Sequence, residues 1–439
     1  MIDEAKATER VRRISECRQE PAFLRDLRTA ALAAALQMPA PPQSPLTKRI
    51  GDSGVDLFRT PTSLAVCLPG NPDTTPLEKG FRADCESRIQ FVNGRKTAHC
   101  LTTELARHGI LFTDLGLAAR MFPKYVENDL GTALPYTADR YAALQTALWT
   151  EGLFLYIPKN VRAEQPLQVW WRRTESGGHL HPRVLIVAEE GSDVTLLLGE
   201  TSHLTGTAVS LGLTEIIAKS NARVRIVSVQ EQDAKMTRVH LLHAKAARGA
   251  RVEVLTADLG AGYHSADLKA ELSGDGAAAT FDAVCLGSGQ RHLDLTLTAH
   301  HKGRHTDSRM RAHALATGEA NLQIQTVSQI DKGAVKARSI QEERMILLDP
   351  TARAQAVPTL YIEEEDVQCD HALSVGPLPD DPMFYLMARG LSETEAKRLL
   401  LCGFLQPFAK ALPFQGMVPA LDGWLDRHID DRAKELSPR

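Results

Sequence analysis

Nothing in this 439-residue chain approaches the run of roughly 20 apolar residues that a helix needs to cross a bilayer. A surplus of either charge is missing too. The 51 basic residues stand against 54 acidic ones, a net of −3, which gives no electrostatic reason to expect nucleic acid or an anionic membrane as partner. The seven cysteines, at positions 17, 67, 85, 100, 285, 369 and 402, form no Cys-x-x-Cys pair. An odd, scattered set in a chain of this length is expected to be reduced thiols, most of them buried as small apolar residues. The first residues, Met1 to Lys6, are charged and lack the apolar core of a signal peptide, so the expected location is the cytoplasm. A phosphate-binding Gly-x-x-x-x-Gly-Lys-Ser/Thr loop is absent, and with it any visible ATPase. So is the Gly-x-Ser-x-Gly elbow of a hydrolase nucleophile. From Val184 to His371 no long helical periodicity appears either, which argues against alternating strands and helices.

What fills that stretch is a small polar turn followed by an alternating apolar run, again and again. Gly191-Ser192-Asp193 precedes Val194, Ser220-Asn221-Ala222 precedes Val224, and Gly249-Ala250 precedes Val252. Gly274-Asp275-Gly276 precedes Phe281, and Gly318-Glu319 before Leu322 reads as a later copy. The markers Val194, Val224 and Val252 are 30 and 28 residues apart, while Gly318, Gly333 and Pro350 mark turns about every 15. Such spacing predicts stacked coils, the longer step spanning two short ones. Within each run the period is two, as in Leu293-Asp294-Leu295-Thr296-Leu297, so one face is buried and the other wet. The reading is a right-handed parallel β-helix, with an ordinary β-sandwich as the alternative. Val194, Ile226, Val254, Leu295, Leu297 and Ile324 are its expected shared core.

Helical patterns flank this region. Residues 1 to about 38 carry Phe23, Leu24, Leu27 and Ala31 at helical spacing, and Pro21 suits an early turn. A few short strands are expected between Gly51 and Asn93, such as Ser63 to Leu68. Further helices are read over Asp114–Asn128 and Tyr141–Trp149, with Gly152 ending the latter and Leu153 to Pro158 as the first clear strand. Beyond the turn-rich Gly376–Pro382, Ser392 and Glu395 form a capping-box pattern before a helix striped by Ala396, Leu399, Leu400 and Gly403. Pro407 is expected to kink or end it. A last helix is read over Met417–Leu436, with Leu421, Trp424, Leu425 and Ile429 on one face. The division is therefore residues 1–150, helical and mixed; 151–375, β-helix; and 376–439, helical.

Five blocks in order resemble the SufB/SufD scaffold subunits of the SUF iron–sulfur cluster assembly system. They are Glu20 to Arg28, Gly109 to Leu115, Ala142 to Lys159, Asp366 to Ala372 and Met383 to Gly390. The resemblance implies a helical, then β-helical, then helical fold, which agrees with the periodicity. Its departures favour the SufD-like branch. No cysteine lies between Lys332 and Gln368, and Cys369-Asp370-His371 resembles the Cys-Ser-His of SufD, with Ala372-Leu373-Ser374 and Asp381-Pro382-Met383 as divergent neighbours. It implies a non-catalytic scaffold that pairs with a SufB-like paralogue and an ABC-type SufC-like ATPase, the latter docking on the C-terminal helices. A truncation after Pro382 is then expected to lose the ATPase and keep the solenoid folded.

Cys369 and His371 are two apart in an apparent strand, so their side chains share a face. A thiolate and a neutral imidazole are two ligands for iron, too few for a closed site. The bland account makes His371 a hydrogen-bonding cap and Cys369 filler. With the resemblance, both become interface residues that hold a transient iron or iron–sulfur cluster together with the partner's groups, and loading should weaken as acid protonates the ring. His292, His300, His301, His305 and His313 read as a solvated strand face, although His301 and His305 would share a ligand surface if a turn joined them. Glu363 to Asp366 reads as a solvated strand edge. The competing class is a carbohydrate-active β-helix enzyme using paired carboxylates, for which Asp258, Asp267, Glu271 and Asp282 offer no distinctive spacing.

Overall fold

The computed structural model describes residues 4–39 and 87–412, with 423 and 425. Its centre is a parallel β-solenoid. After β1 (Arg88–Val92), β2 (Arg95–Cys100), β3 (Leu111–Asp114) and β4 (Glu151–Ile157), strands are laid down alternately in two sheets. One sheet holds β5 (Leu167–Arg173), β8 (Asp193–Ser202), β10 (Arg223–Glu231), β12 (Arg251–Asp258), β14 (Ala278–Gly287), β16 (Asp307–Ala316), β18 (Arg338–Leu347) and β20 (Gln368–Pro377) in that order, with β1 and β2 at its start. The other runs from β3 and β4 through β7 (Pro182–Ala188), β9 (Ala208–Ala218), β11 (Met236–Ala246), β13 (Tyr263–Leu272), β15 (His292–His301) and β17 (Asn321–Ile330) to β19 (Arg353–Ile362). The short β6 (His179–Leu180) pairs with β9. Among the described residues β1–β2 and β3–β4 are antiparallel, and every other strand pair is parallel.

One coil therefore contains two strands, and the 28–30-residue step is a single turn of the solenoid, not two short coils. The 15-residue step is half a turn, so Gly318 marks the corner opposite to the one marked by Gly191. The repeating corner has a physical signature. Asn160, Gly191, Asn221, Gly249, Gly276, His305 and Lys336 all adopt positive φ, between 56° and 70°. Each donates its backbone N–H to the coil above, as in Asn221 to Arg248 O at 2.8 Å and His305 to Val335 O at 2.9 Å. Glycine suits this conformation, and a Cβ on Gly191 or Gly249 would also sit 2.4 Å from the asparagine Oδ1 of the coil below. Glu363 to Asp366 lies in this series: it is the corner between β19 and β20 and not a strand edge. Glu364 accepts the Gly333 N–H at 2.9 Å.

The sequence markers stack in register: Val194, Val224 and Val252 are direct neighbours. Val194, Ile226, Val254, Leu295, Leu297 and Ile324 belong to one buried cluster that runs through both sheets. The outer faces of the early coils are covered. Helices α1 (Glu4–Arg18), α2 (Ala22–Gln37), α3 (Thr103–Arg107), α4 (Leu115–Met121), α5 (Pro123–Glu127) and α6 (Arg140–Leu148) precede the solenoid. Leu32, Ala35, Leu144 and Leu148 pack on Leu211, Leu213 and Leu241, while Leu115 and Val126 pack near Leu185. Two ion pairs without solvent contact fasten this layer: Arg28–Glu20 at 2.7 Å, with the Arg28 guanidinium over Trp149, and Arg183–Glu215. Gly152 does not end a helix. It lies inside β4, where a Cβ would meet Arg183 O at 2.4 Å.

After β20 come α7 (Asp380–Ala388) and α8 (Glu393–Ala411). Gly376 and Pro377 belong to β20, so the linker is Leu378-Pro379. The Ser392–Glu395 capping box is present in full. The buried stripe of α8 is Ala396, Leu401, Leu405 and Phe408, whereas Leu399 is exposed and so is Gly403. This stripe covers Leu197, Val227, Leu255 and Val284 on the first sheet, joined by Leu425. Pro407 lies within the helix, which continues to Ala411. The strands expected near Ser63–Leu68 and most of the helix expected over Met417–Leu436 fall outside the described residues. Cys17 is disulfide-bonded, against the expectation of wholly reduced thiols, while Cys100, Cys285, Cys369 and Cys402 are free.

Candidate functional site

The inward residues of the first sheet form columns along the solenoid. One reads Val194, Val224, Val252, Ala279, Ser308, Ser339, Cys369, and the next reads Leu196, Ile226, Val254, Phe281, Met310, Gln341, His371. A third ends in Ala312, Glu343 and Leu373. Cys369 and His371 are therefore the last rungs of inward columns. They share a face, and that face is the interior side of a coil with no further coil on top. His371 is exposed and Cys369 half-buried. Leu373 and Val375, on the same face, are 46% and 40% exposed.

The columns change chemistry toward this end. Below β16 the first two are apolar, while the third carries Ser228 and Thr256. At β18 they become Ser339, Gln341 and Glu343, each with 1% exposure or less. Ser339 shares hydrogen bonds with Ser308 at 2.7 Å and Ser328 at 2.6 Å, and His301 contacts Ser308 at 2.9 Å and Thr306 at 2.8 Å. The Gln341 amide donates to Ser328 Oγ at 2.8 Å and to Thr359 O at 3.1 Å. The Thr326 hydroxyl donates to one oxygen of Glu343. Burial pushes the Glu343 carboxyl above its ordinary range, opposed by the Thr326 bond and the nearby His371. Burial, with the Asp370 charge beside it, also raises the Cys369 thiol, opposed by a backbone hydrogen bond from Ser339. Cys369 is thus not an activated nucleophile, and a metal would have to displace its proton to bind it as a thiolate. Cys369 also packs against Ile330, Ala334 and Ala337.

A thiol and an imidazole two residues apart on one strand face are two donors for a borderline metal such as iron(II); Glu343, beneath Leu373, is further along the rung below. Among the described residues no three His, Cys, Asp or Glu side chains converge into a cage. The bland account of His371 as a hydrogen-bonding cap has no support, since none of its hydrogen bonds appears among the described residues. Sequence reasoning did not single out Gln341 or Glu343. The available signal was the polar run at alternate positions, Ser339, Gln341 and Glu343, where the repeat calls for apolar residues.

The other candidates disperse. His301 faces inward and is buried, His305 is a corner residue, and His300 pairs outward with Asp331 at 2.8 Å. His313 lies under α8, its ring stacked on Phe404 and its Nδ1 bonded to Phe404 O at 3.0 Å. His292 is half-buried. The group is not one solvated face, and no turn brings His301 and His305 to a common surface. The four carboxylates weighed for glycoside chemistry are all engaged: Asp258 with His264 at 3.3 Å, Asp267 with His243 at 3.3 Å, Glu271 with Lys302 at 2.9 Å and Asp282 with Arg311 at 2.6 Å.

Residues 171–404 match the family described as "SUF system FeS cluster assembly, SufBD core domain", and residues 84–169 match "SufBD protein N-terminal region". The chain belongs to the SufB/SufD family. It is similar to the iron–sulfur cluster assembly protein SufD of Bacillus subtilis, at 31% identity over 96% of this chain and 97% of that one. An iron–sulfur cluster assembly SufBD family protein of Staphylococcus haemolyticus is 25% identical over 92% of this chain and 89% of its own length, and one of Staphylococcus aureus has the same figures. The match to the family core begins inside β5 and ends inside α8, so it contains the whole run of inward columns from β8 to β20. No described helix is long and apolar enough to cross a membrane.

Proposed function

We infer that this chain is the SufD-like, non-catalytic subunit of a cytoplasmic SUF assembly complex, pairing with a SufB-like paralogue and a SufC-like ABC-type ATPase. One observation carries the reading: the inner face of β20 is left wet. A solenoid buries that face under its next coil, and an uncovered one calls for a cap. The cap that fits is the matching open coil of a paralogous solenoid. Cys369 and His371 then lie at the heterodimer interface, where they hold a transient iron or iron–sulfur cluster with groups from the partner. An incomplete site suits a scaffold that must release its cargo.

ATPase docking falls to the C-terminal helices. Phe384, Tyr385 and Met387 of α7 are exposed, an apolar patch suited to a protein partner. Truncation after Pro382 does not test this cleanly, because it would strip α8 from the first sheet and bare Leu197, Val227 and Leu255. Phe384→Ser with Tyr385→Ser leaves α8 in place and should release the ATPase. The direct test of the site is His371→Ala in the native complex. Complex stoichiometry should be unchanged and cluster formation on the purified complex lowered. Normal cluster yield with His371→Ala would remove the site. A carbohydrate-active enzyme has no observation in its favour, since the four carboxylates weighed for it are all engaged.

A further inference from the structure

One buried oxygen directly beneath the open rung is held in place and has no donor. Gln341 is 1% exposed and is the register partner of His371 on the strand above. Its amide nitrogen donates to Ser328 Oγ at 2.8 Å and to Thr359 O at 3.1 Å. A backbone carbonyl only accepts, so the nitrogen end of the amide is fixed and the oxygen end is turned away from both contacts. Ser328 is tied in turn to Ser339 at 2.6 Å, and Ser339 to Ser308 at 2.7 Å, which anchors the amide to the coil below. The Gln341 Oε1 is unpartnered. An acceptor buried without a donor is costly. Folding alone gives no reason to keep one here, because the same column is apolar below it, through Ile226, Val254, Phe281 and Met310.

The ring directly above can supply the donor. Neighbouring strands lie about 4.8 Å apart, so a rotation of the exposed His371 side chain brings a ring N–H onto this oxygen. A neutral imidazole has one N–H and one lone pair. Spending the N–H downward leaves the lone pair facing the mouth of the coil. The other unpartnered oxygen of this rung, Glu343 Oε2, lies under Leu373, one inward position further along.

We propose that Gln341 is a positioning residue for His371: in the assembled complex its carbonyl oxygen accepts one ring N–H, fixing the tautomer and turning the other ring nitrogen to the cargo. This rests on the reading of His371 as a cargo ligand and needs no further ligand from this chain. A metal-bound histidine as a rule gives its second ring nitrogen to such an acceptor, and loss of the acceptor weakens binding about 10- to 100-fold.

The test is anaerobic cobalt(II) titration of the native complex, purified through a tag on this chain, followed by proton NMR of the loaded complex in H2O and in D2O. A cobalt-bound imidazole shows its remaining N–H as a hyperfine-shifted, exchangeable line. A hydrogen-bonded N–H stays visible, whereas a free one is lost to solvent exchange. The native complex should show such a line, and His371→Ala should remove it. Gln341→Met fills the same space without an acceptor, so the line should disappear and cobalt should bind at least tenfold more weakly. Gln341→Glu also lacks the amide donors but keeps an acceptor, so line and affinity should survive. A role confined to bracing Ser328 and Thr359 would fail equally in both variants. Persistence of the line in Gln341→Met at wild-type affinity overturns the role of Gln341 and leaves His371 standing as a ligand. Unchanged cobalt affinity in His371→Ala, with no line lost, removes the cargo site and the proposal with it. Should Gln341→Met fail to assemble, loss of the line in Gln341→Glu overturns the proposal, and its survival there shows that the oxygen is what His371 requires.

Discussion

The early coils and the last coil are built from the same repeat and end in opposite states. From β8 to β14 the two columns next to the corner series are apolar, and α2, α6 and α8 cover the outer faces. At β20 the equivalent rungs are Cys369, His371, Leu373 and Val375, and the inner face meets solvent. Backbone geometry does not make the difference, since the parallel register runs unbroken from β8 to β20. Side chains do. Stability is concentrated where rungs are covered on both sides, and the proposed cargo site lies where a rung is left without its neighbour.

The sharpest way to break this contrast is to place the same charge in both regions. Ile226 has no exposed surface, and Ile226→Asp leaves an unpaired carboxylate among aliphatic neighbours. It should cost on the order of 4 kcal/mol or more, read by chemical denaturation of the purified chain. Loss of less than about 1 kcal/mol would mean that the early coils are not the closed core described above.

How much of this contrast was legible in the sequence depends on the kind of signal. Alternation alone identified inward residues, because a strand's period of two survives any register. It did not say which inward residues share a column, since that needs the length of each coil. The corner series hid those lengths: Asn160, Asn221, His305 and Lys336 take the left-handed conformation that Gly191, Gly249 and Gly276 take elsewhere, so glycine alone marks three of its seven corners. Glu343 was missed for the same reason, its polarity having meaning only beneath Leu373 and beside His371. On α8 the sequence offered overlapping apolar stripes, and the sheet selected Leu401, Leu405 and Phe408 over Leu399. The motif around Cys369 and His371 was legible through its residues; its position on an inner face was not.

Acid should separate the two regions next. Burial holds His301 down at about 4 and His240 at about 3. A histidine whose folded value is depressed lends stability that is full above its unfolded value, near 6.5, and lost as pH falls toward the folded value. Each therefore stabilises at neutral pH and withdraws that support between about 6.5 and its depressed value, about 3 kcal/mol for His301. Asp258, raised to about 6 by burial, opposes this over the lower part of the range. Denaturation midpoints should fall as pH drops from 7 to 5, and His301→Gln should flatten part of the slope. A slope unchanged in that variant would place the acid sensitivity elsewhere.

A smaller effect is expected at the helix that lids the early coils. The Ser392 hydroxyl accepts the Glu395 N–H at 3.3 Å, and the Glu395 carboxylate accepts the Ser392 N–H at 2.8 Å. Ser392→Ala should cost about 1 kcal/mol while leaving metal binding by the complex as it was. A change in metal binding larger than the change in stability would mean that α8 is coupled to the open coil, and the two regions would no longer be separable.

The smallest effect on stability is expected at the open coil itself, and it bears most directly on the contrast. Leu373 follows Glu343 in its column and is 46% exposed. Its side chain buries only part of its area in the isolated chain, and at about 25 cal/mol per Å² the loss on removing it is modest. Leu373→Ser should therefore change the stability of the purified chain by less than about 0.5 kcal/mol. Under a covering partner the same residue would be fully desolvated near the centre of a contact, where apolar truncations are felt most. The variant should then fall out of the co-purified complex, or dissociate from it at least tenfold faster, while the chain alone melts normally. A stability loss like that of Ile226→Asp would show that β20 is closed by residues of its own chain. Unaltered assembly would show that no partner seats on this face, and the wet rung would need another explanation.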